Sequence, residues 1–181
     1  MVSLKALCLY LATASVSVSA APLIDRAIIT TDILISDIGH IDSGYKSLTR
    51  TLKSYNGSIF DIAPIAANIA AIHVDEHKGF LDAELAPVAN LNESSRIVAF
   101  ASHSVGVDIP TFIRVLESKK ENFSPDDRPK IADGLKKLKK DHDAFSVALA
   151  AKLEKEVLPK EKKVVAVIDG AFQSGIDYFS S

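Results

Sequence analysis

The sequence predicts an all-α fold, a single up-and-down-type bundle of four to five amphipathic helices with no disulfides. Three observations predict it. Apolar residues recur at alternating steps of three and four through most of the chain, the period of a helix with one buried face. No segment alternates polar and apolar residues over a useful length, so strand signals are thin. The only cysteine, Cys8, falls in a leader-like start.

That start, MVSLKALCLYLATASVSVSA, has one early lysine, an apolar run from Ala6 to Ala14, and the small-x-small pattern Val18-Ser19-Ala20. It reads as a signal peptide over residues 1–20, followed by one domain over residues 21–181. The expected location is extracellular. Removal of Cys8 with the leader excludes thiol chemistry and leaves stability to helix packing. No stretch is long and apolar enough for an integral membrane segment, and the carboxyl end GAFQSGIDYFSS lacks the apolar tail of a lipid-anchor signal. The expectation is a soluble protein, or one associated with a cell wall without a covalent lipid.

The first helix carries Leu34, Ile38, Ile41, Tyr45, Leu48, Leu52 and Tyr55 as one stripe, with Asp37, Asp42, Lys46, Arg50 and Lys53 off it. Asn56-Gly57 ends it. A second helix starts near Asp61, its stripe Ile62, Ile65, Ile69 and Ile72 interleaved with alanines that let neighbours approach, and runs to about Leu85 before Pro87. The third opens at Asn92 or Ser94 and carries Ile97, Phe100, Ala101, Val105, Ile109, Phe112, Ile113 and Leu116; Gly106 and Pro110 mark either a bend or two helices. A fourth runs from about Pro129 to Val157 on Ile131, Leu135, Leu138, His142, Phe145, Leu149 and Leu153, with Pro159 closing it. The last, Lys163 to Phe179, turns Val165, Ile168, Phe172, Ile176 and Phe179 inward.

A net charge of −2 is too balanced for a nucleic-acid partner. The basic excess between Lys119 and Lys163 reads as a solvated helix face, or less simply as a contact patch for acidic head groups or wall polymer. No P-loop, G-x-G-x-x-G or G-x-S-x-G occurs, so no cofactor or nucleophile elbow is expected. His73-Val74-Asp75-Glu76-His77 does match H-x-x-E-H, the inverted zinc-protease pattern, which makes a zinc hydrolase on His73, Glu76 and His77 a remote alternative. A bundle with no strand to bind a peptide argues against it, and the expectation is an ordinary polar face, with His142 a tolerated boundary residue. The sequons at Asn56 and Asn92, in a turn and at a helix start, are glycan acceptor candidates; Asn122 is disfavoured by Pro125.

In order along the chain, Leu52-Lys53-Ser54-Tyr55-Asn56-Gly57, an alanine-rich second helix, the run Ile113 to Phe123 and the run Leu135 to Phe145 resemble the fungal hydrophobic surface-binding protein A family, also described as cell-wall galactomannoprotein domains. The matches are to that family's AxxxYxGG, LxxKKxxF and LxxLxxxTDALxxAL stretches and span about Ala27 to Phe179. This chain departs from the pattern in its charge, its isoleucines and Pro110. The resemblance implies a non-catalytic helical protein that encloses a fatty acid or similar lipid, or adsorbs to a hydrophobic solid surface and helps recruit a secreted esterase. It also implies a place beside cell-wall polysaccharide.

Lipid holding has a physical basis of its own, since each buried methylene contributes roughly 0.8 kcal/mol. The lining candidates are Ile41, Tyr45, Leu48, Leu52, Ile65, Ile69, Ile72, Ile97, Ala101, Phe112, Leu116, Leu138, Phe145, Leu149, Ile168 and Phe172. Ala66, Ala70, Ala101 and Ala148 are the small positions that leave room, and Tyr45, Ser47 and Ser104 are candidate partners for a carboxylate. The alternatives are a dry core, or a helical effector or structural wall mannoprotein acting through a protein or polysaccharide.

Overall fold

The computed structural model describes residues 28–58 and 62–180; the leader, Cys8 and the cap proposed at Asp61 lie outside them. Six helices follow in order: α1 (Thr31–Ser54), α2 (Ile62–Leu85), α3 (Leu91–His103), α4 (Val105–Glu117), α5 (Arg128–Ala150) and α6 (Leu158–Ser180). A short 3-10 turn, Lys120–Asn122, precedes α5. The helices α3 and α4 form one arm interrupted at Ser104, so the bundle has five arms. Each arm packs mainly on two others, giving a closed ring: α1, α2, α5, α6, the α3/α4 arm, and back to α1.

The first helix buries the whole of its expected stripe. Thr30 caps it, accepting from the Ile33 amide at 3.4 Å. All seven stripe residues from Leu34 to Tyr55 are buried. Two of the residues expected off the stripe, Asp37 and Asp42, are buried as well. Lys78 reaches Asp37 at 2.5 Å and Lys46 reaches Asp42 at 2.7 Å, and those lysines make the burial tolerable. Close approach to α2 requires Gly44, where an added Cβ would sit 2.7 Å from Ile72.

The bend near Pro110 resolves as a break. It falls six residues earlier, at Ser104, whose backbone leaves the helical region (φ −110°, ψ −102°). Proline then sits within the second turn of a new helix, where it forgoes the bond an amide would make to the Gly106 carbonyl. The α3 start is also earlier than the sequons suggested. Asn90 caps it through a reciprocal box with Glu93, at 3.1 and 2.9 Å. Phe100, expected inward, is more than a third exposed.

The fourth periodic run ends at Ala150, not Val157, and Pro159 opens the last helix instead of closing its predecessor. Proline fits a first turn because that amide has no intrahelical acceptor. Leu153 and Val157 still enter the core from the turns between the helices.

Both ends of the ring are tied. At one, the Ala89 amide donates to the Lys152 carbonyl at 2.8 Å, the Lys152 ammonium to the Glu84 carbonyl at 2.9 Å, and the Glu154 amide to Ser94 Oγ at 3.0 Å. At the other, Lys119 donates to the carbonyls of Lys53 and Tyr55, both at 2.9 Å, and the Asn122 side-chain amide donates to Tyr55 at 3.0 Å. The rings of Tyr55 and Phe123 stack there at 4.7 Å. Among the described residues no helix is long and apolar enough to cross a membrane.

Candidate functional site: an apolar cavity and a buried polar layer

The ring is not filled evenly. Toward the Tyr55 end, α1, α2, α4 and α5 leave a cavity of about 200 Å³. Its wall is nearly all apolar because α1 and α5 turn their stripes inward there while α2 presents isoleucines and alanines. Seven of the lining candidates are on it: Leu48, Leu52, Ile65, Ile69, Phe112, Leu116 and Leu138. Ile65 and Ile69 are only half-buried, each packing against the core while also lining this space. Sequence reasoning missed Tyr55, Phe123, Asp127, Lys130, Ile131, Gly134 and Leu135 on the same wall. The period of α5 pointed to Leu135 and Ile131 as inward, but nothing local showed that the preceding loop folds back under α1.

Asp127 and Lys130 are the only charged residues on that wall. Lys130 Nζ contacts Asp127 at 2.8 Å and remains half-exposed. The hydrogen bond from Lys130, with another from Ser124, holds the Asp127 carboxyl below its ordinary value. The Asp127 carboxylate therefore keeps its charge beside Lys130, while the rest of the wall is nearly all hydrocarbon.

A second cavity of about 40 Å³ lies toward the other end, lined by Ile97, Ala101, Phe145, Leu149 and Ile168 from the candidate set, and by His142 and Ser146. The remaining candidates, Ile41, Tyr45, Ile72 and Phe172, border neither cavity and are buried in the core. Of the small positions, Ala66 lines the larger cavity and Ala101 the smaller, Ala148 is buried in the core and Ala70 is exposed. Ser104 back-bonds to the Phe100 carbonyl at 2.8 Å and Ser47 receives Arg50 at 3.3 Å, so neither faces the cavities.

Between the cavities the core is polar. Glu76 is 0 % exposed and His142 4 %, against the expected surface and boundary positions. Tyr45 donates its hydroxyl to Glu76 Oε1 at 3.2 Å, and His142 Nδ1 lies 3.8 Å from the same oxygen. His142 Nε2 meets Ser146 Oγ at 3.2 Å. Burial raises the Glu76 carboxyl well above its ordinary value, helped by the charges of Asp141, Asp143 and Asp75 and opposed by the Tyr45 hydrogen bond. Burial also lowers His142 from 6.5 to about 4. Burial thus favours the protonated acid at Glu76, and His142 is an uncharged imidazole at neutral pH.

This geometry disperses the H-x-x-E-H residues. His73 points outward to Asp141 at 2.6 Å, His77 stacks on Phe80, and Glu76 is sealed in the core. Among the described residues no three histidine, cysteine or acidic side chains converge as a metal site. Asn56 and Asn92 are both exposed, whereas the Asn122 amide is engaged with Tyr55.

The family model for hydrophobic surface binding protein A matches residues 31–151. The chain belongs to that family. A comparison with curated proteins returns no match. Among solved structures, Afmp4p in complex with palmitic acid shares the fold with TM-score 0.78 at 20% identity, over 83% of this chain and 99% of that one. Ligand binding domain 1 of the Penicillium marneffei MP1 protein, complexed with arachidonic acids, is similar with TM-score 0.78 at 19% identity, over 84% of this chain and 100% of that one. Domain 2 of that protein, also with arachidonic acids, gives TM-score 0.74 at 18% identity, over 88% and 98%.

Proposed function

We propose that this family member is a secreted, non-catalytic carrier that holds a fatty acid or similar lipid in the larger cavity, with the tail inside and the polar end at Asp127 and Lys130. One observation carries the reading: an apolar space of about 200 Å³ remains open inside a ring of the same fold as structures that hold palmitic and arachidonic acids. An apolar space of that size gains from a hydrocarbon guest, whose packing replaces contacts the wall lacks. A full long-chain acid needs more room, and the half-buried start of α2 is where the wall gives way, since Ile62, Ile65 and Ile69 all line the space and none is fully buried.

The test is native mass spectrometry of the protein from its own secretory host, after glycan removal, with parallel lipid extraction. A stoichiometric fatty-acid adduct is the expected result. Apo protein that also refuses added palmitate overturns the reading. The same preparation reports cleavage of the leader and occupancy of Asn56 and Asn92.

A second reading, adsorption to a hydrophobic solid surface, is favoured by Leu85, Val88 and Leu91, which stand 60 %, 66 % and 51 % exposed around the α2–α3 connection. A secreted esterase or wall polysaccharide would meet the protein in that adsorbed state. Substituting the three residues by serine abolishes retention on polystyrene beads under this reading and leaves palmitate binding intact.

A further inference from the structure

The layer between the two cavities combines features that a dry core does not need. Glu76 Oε2 and His142 Nδ1 are both buried with no hydrogen-bond partner among the described residues, while Glu76 Oε1 and His142 Nε2 are satisfied by Tyr45 and Ser146. Leaving a buried polar atom unpaired is costly, so two in one layer call for a partner from outside the chain. His142 already forms part of the wall of the smaller cavity. On the other side, Leu48 and Leu138 of the larger cavity lie one turn from Tyr45 and His142 along α1 and α5. Phe112 lines that cavity and contacts Tyr45, ring to ring, at 5.5 Å. The partition is therefore about one ring thick.

We infer that Glu76 and His142 form an internal site for a hydroxyl group carried by an otherwise apolar chain, so that the preferred guest is a hydroxylated fatty acid rather than a plain one. The inference rests on the cavity reading above. The acid's carboxylate stays at Lys130, and its chain displaces the Phe112 partition to reach the layer. Lys130 and His142 are twelve residues apart on α5, about 18 Å at 1.5 Å rise per residue, close to the length of an extended long-chain acid. A hydroxyl near the far end thus arrives beside Glu76.

Charge selects the same group. Asp75, Asp141 and Asp143 surround Glu76, and Asp169 faces His142 with Lys139 as the one cation acting there. Tyr45 from α1 and Phe172 from α6 complete the layer without charge. That field repels a carboxylate. A hydroxyl instead accepts from the Glu76 acid and donates to an imidazole nitrogen, using both orphaned atoms. The protonated form of Glu76, which burial favours, is the one that can donate.

The experiment compares palmitic acid with ω-hydroxypalmitic acid, by titration against the full secreted protein and its Glu76→Leu, Glu76→Gln and His142→Leu variants. Wild type is expected to bind the hydroxy acid about fivefold more tightly, the worth of one net buried hydrogen bond. In Glu76→Leu and His142→Leu the order reverses, because the hydroxyl is then buried without partners. Glu76→Gln, which keeps a donor and an acceptor, retains the preference and serves if the leucine variants do not fold. Weaker binding of the hydroxy acid to wild type, or a preference that survives Glu76→Leu, overturns the site while leaving the carrier reading standing. Failure of both acids to bind overturns both.

Discussion

α1 and the first half of α2 are neighbours in the ring and behave oppositely. In α1, large apolar residues alternate with charges, and every stripe position from Leu34 to Tyr55 is buried. In α2 the residues between the isoleucines are alanines, so the helix has little contrast between its faces, and of Ile62, Ile65, Ile69 and Ile72 only Ile72 is fully buried. The difference teaches where a cavity comes from. A helix whose outer face demands water is pressed into one orientation, whereas an alanine-rich helix tolerates a looser seat.

The largest effect expected from breaking that comparison is on the α1 side. Ile41→Ala removes a side chain 1 % exposed in a dry region and should cost about 3–4 kcal/mol in denaturant unfolding. Ile65→Ala, at a half-buried wall position, should cost about 1 kcal/mol or less. Equal costs would show that the α2 seat is as tight as that of α1.

Next in size is a pH effect from the layer the two helices share. His142 is depressed from 6.5 to about 4, so its contribution is full above 6.5 and is lost as pH falls toward 4. Glu76 is raised, so its contribution is full below 4.5 and is lost as pH rises through its folded value. As pH falls the two contributions therefore oppose one another. Glu76→Gln leaves His142 alone, and the variant's stability should then fall by about 3 kcal/mol as pH drops from 6.5 to 4, more steeply than that of wild type. Parallel curves for the two proteins would refute the pairing.

The smaller effects sharpen the contrast with one chemical change at two glycines. Gly44→Ala drives a methyl into Ile72 and should cost about 2 kcal/mol. Gly134→Ala places its methyl in the open cavity, where nothing lies within 4 Å, and should raise stability by about 0.5–1 kcal/mol. Melting curves of the two variants should move in opposite directions.

These contrasts also mark what the sequence made legible. The period gave α1 whole, and the inward faces of α5 and α6, because each repeats over many turns. It misplaced Pro159, since proline ends a helix and begins one with equal ease, and only the seat of Leu158 decides which. The cavity was half legible: the side chains of Leu48, Ile69 and Leu138 follow from the stripes, but Tyr55 and Phe123 meet only through contacts far apart in sequence. The polar layer was hidden altogether. Glu76 lies seven residues beyond Ile69, on the stripe itself, yet a glutamate in a charged stretch reads as surface until Tyr45 and His142 are seen opposite it.

The ties from Lys119 and Asn122 to the end of α1 bear on how fast any guest trades places. They pin the Tyr55 and Phe123 rims of the cavity by backbone carbonyls. The first turns of α2 are left as the side that yields. Exchange then has a ceiling: no lipid departs sooner than those turns part from α1 and α5, a local opening on the microsecond-to-second scale. A lysine remote from the guest thereby helps set how long the guest stays.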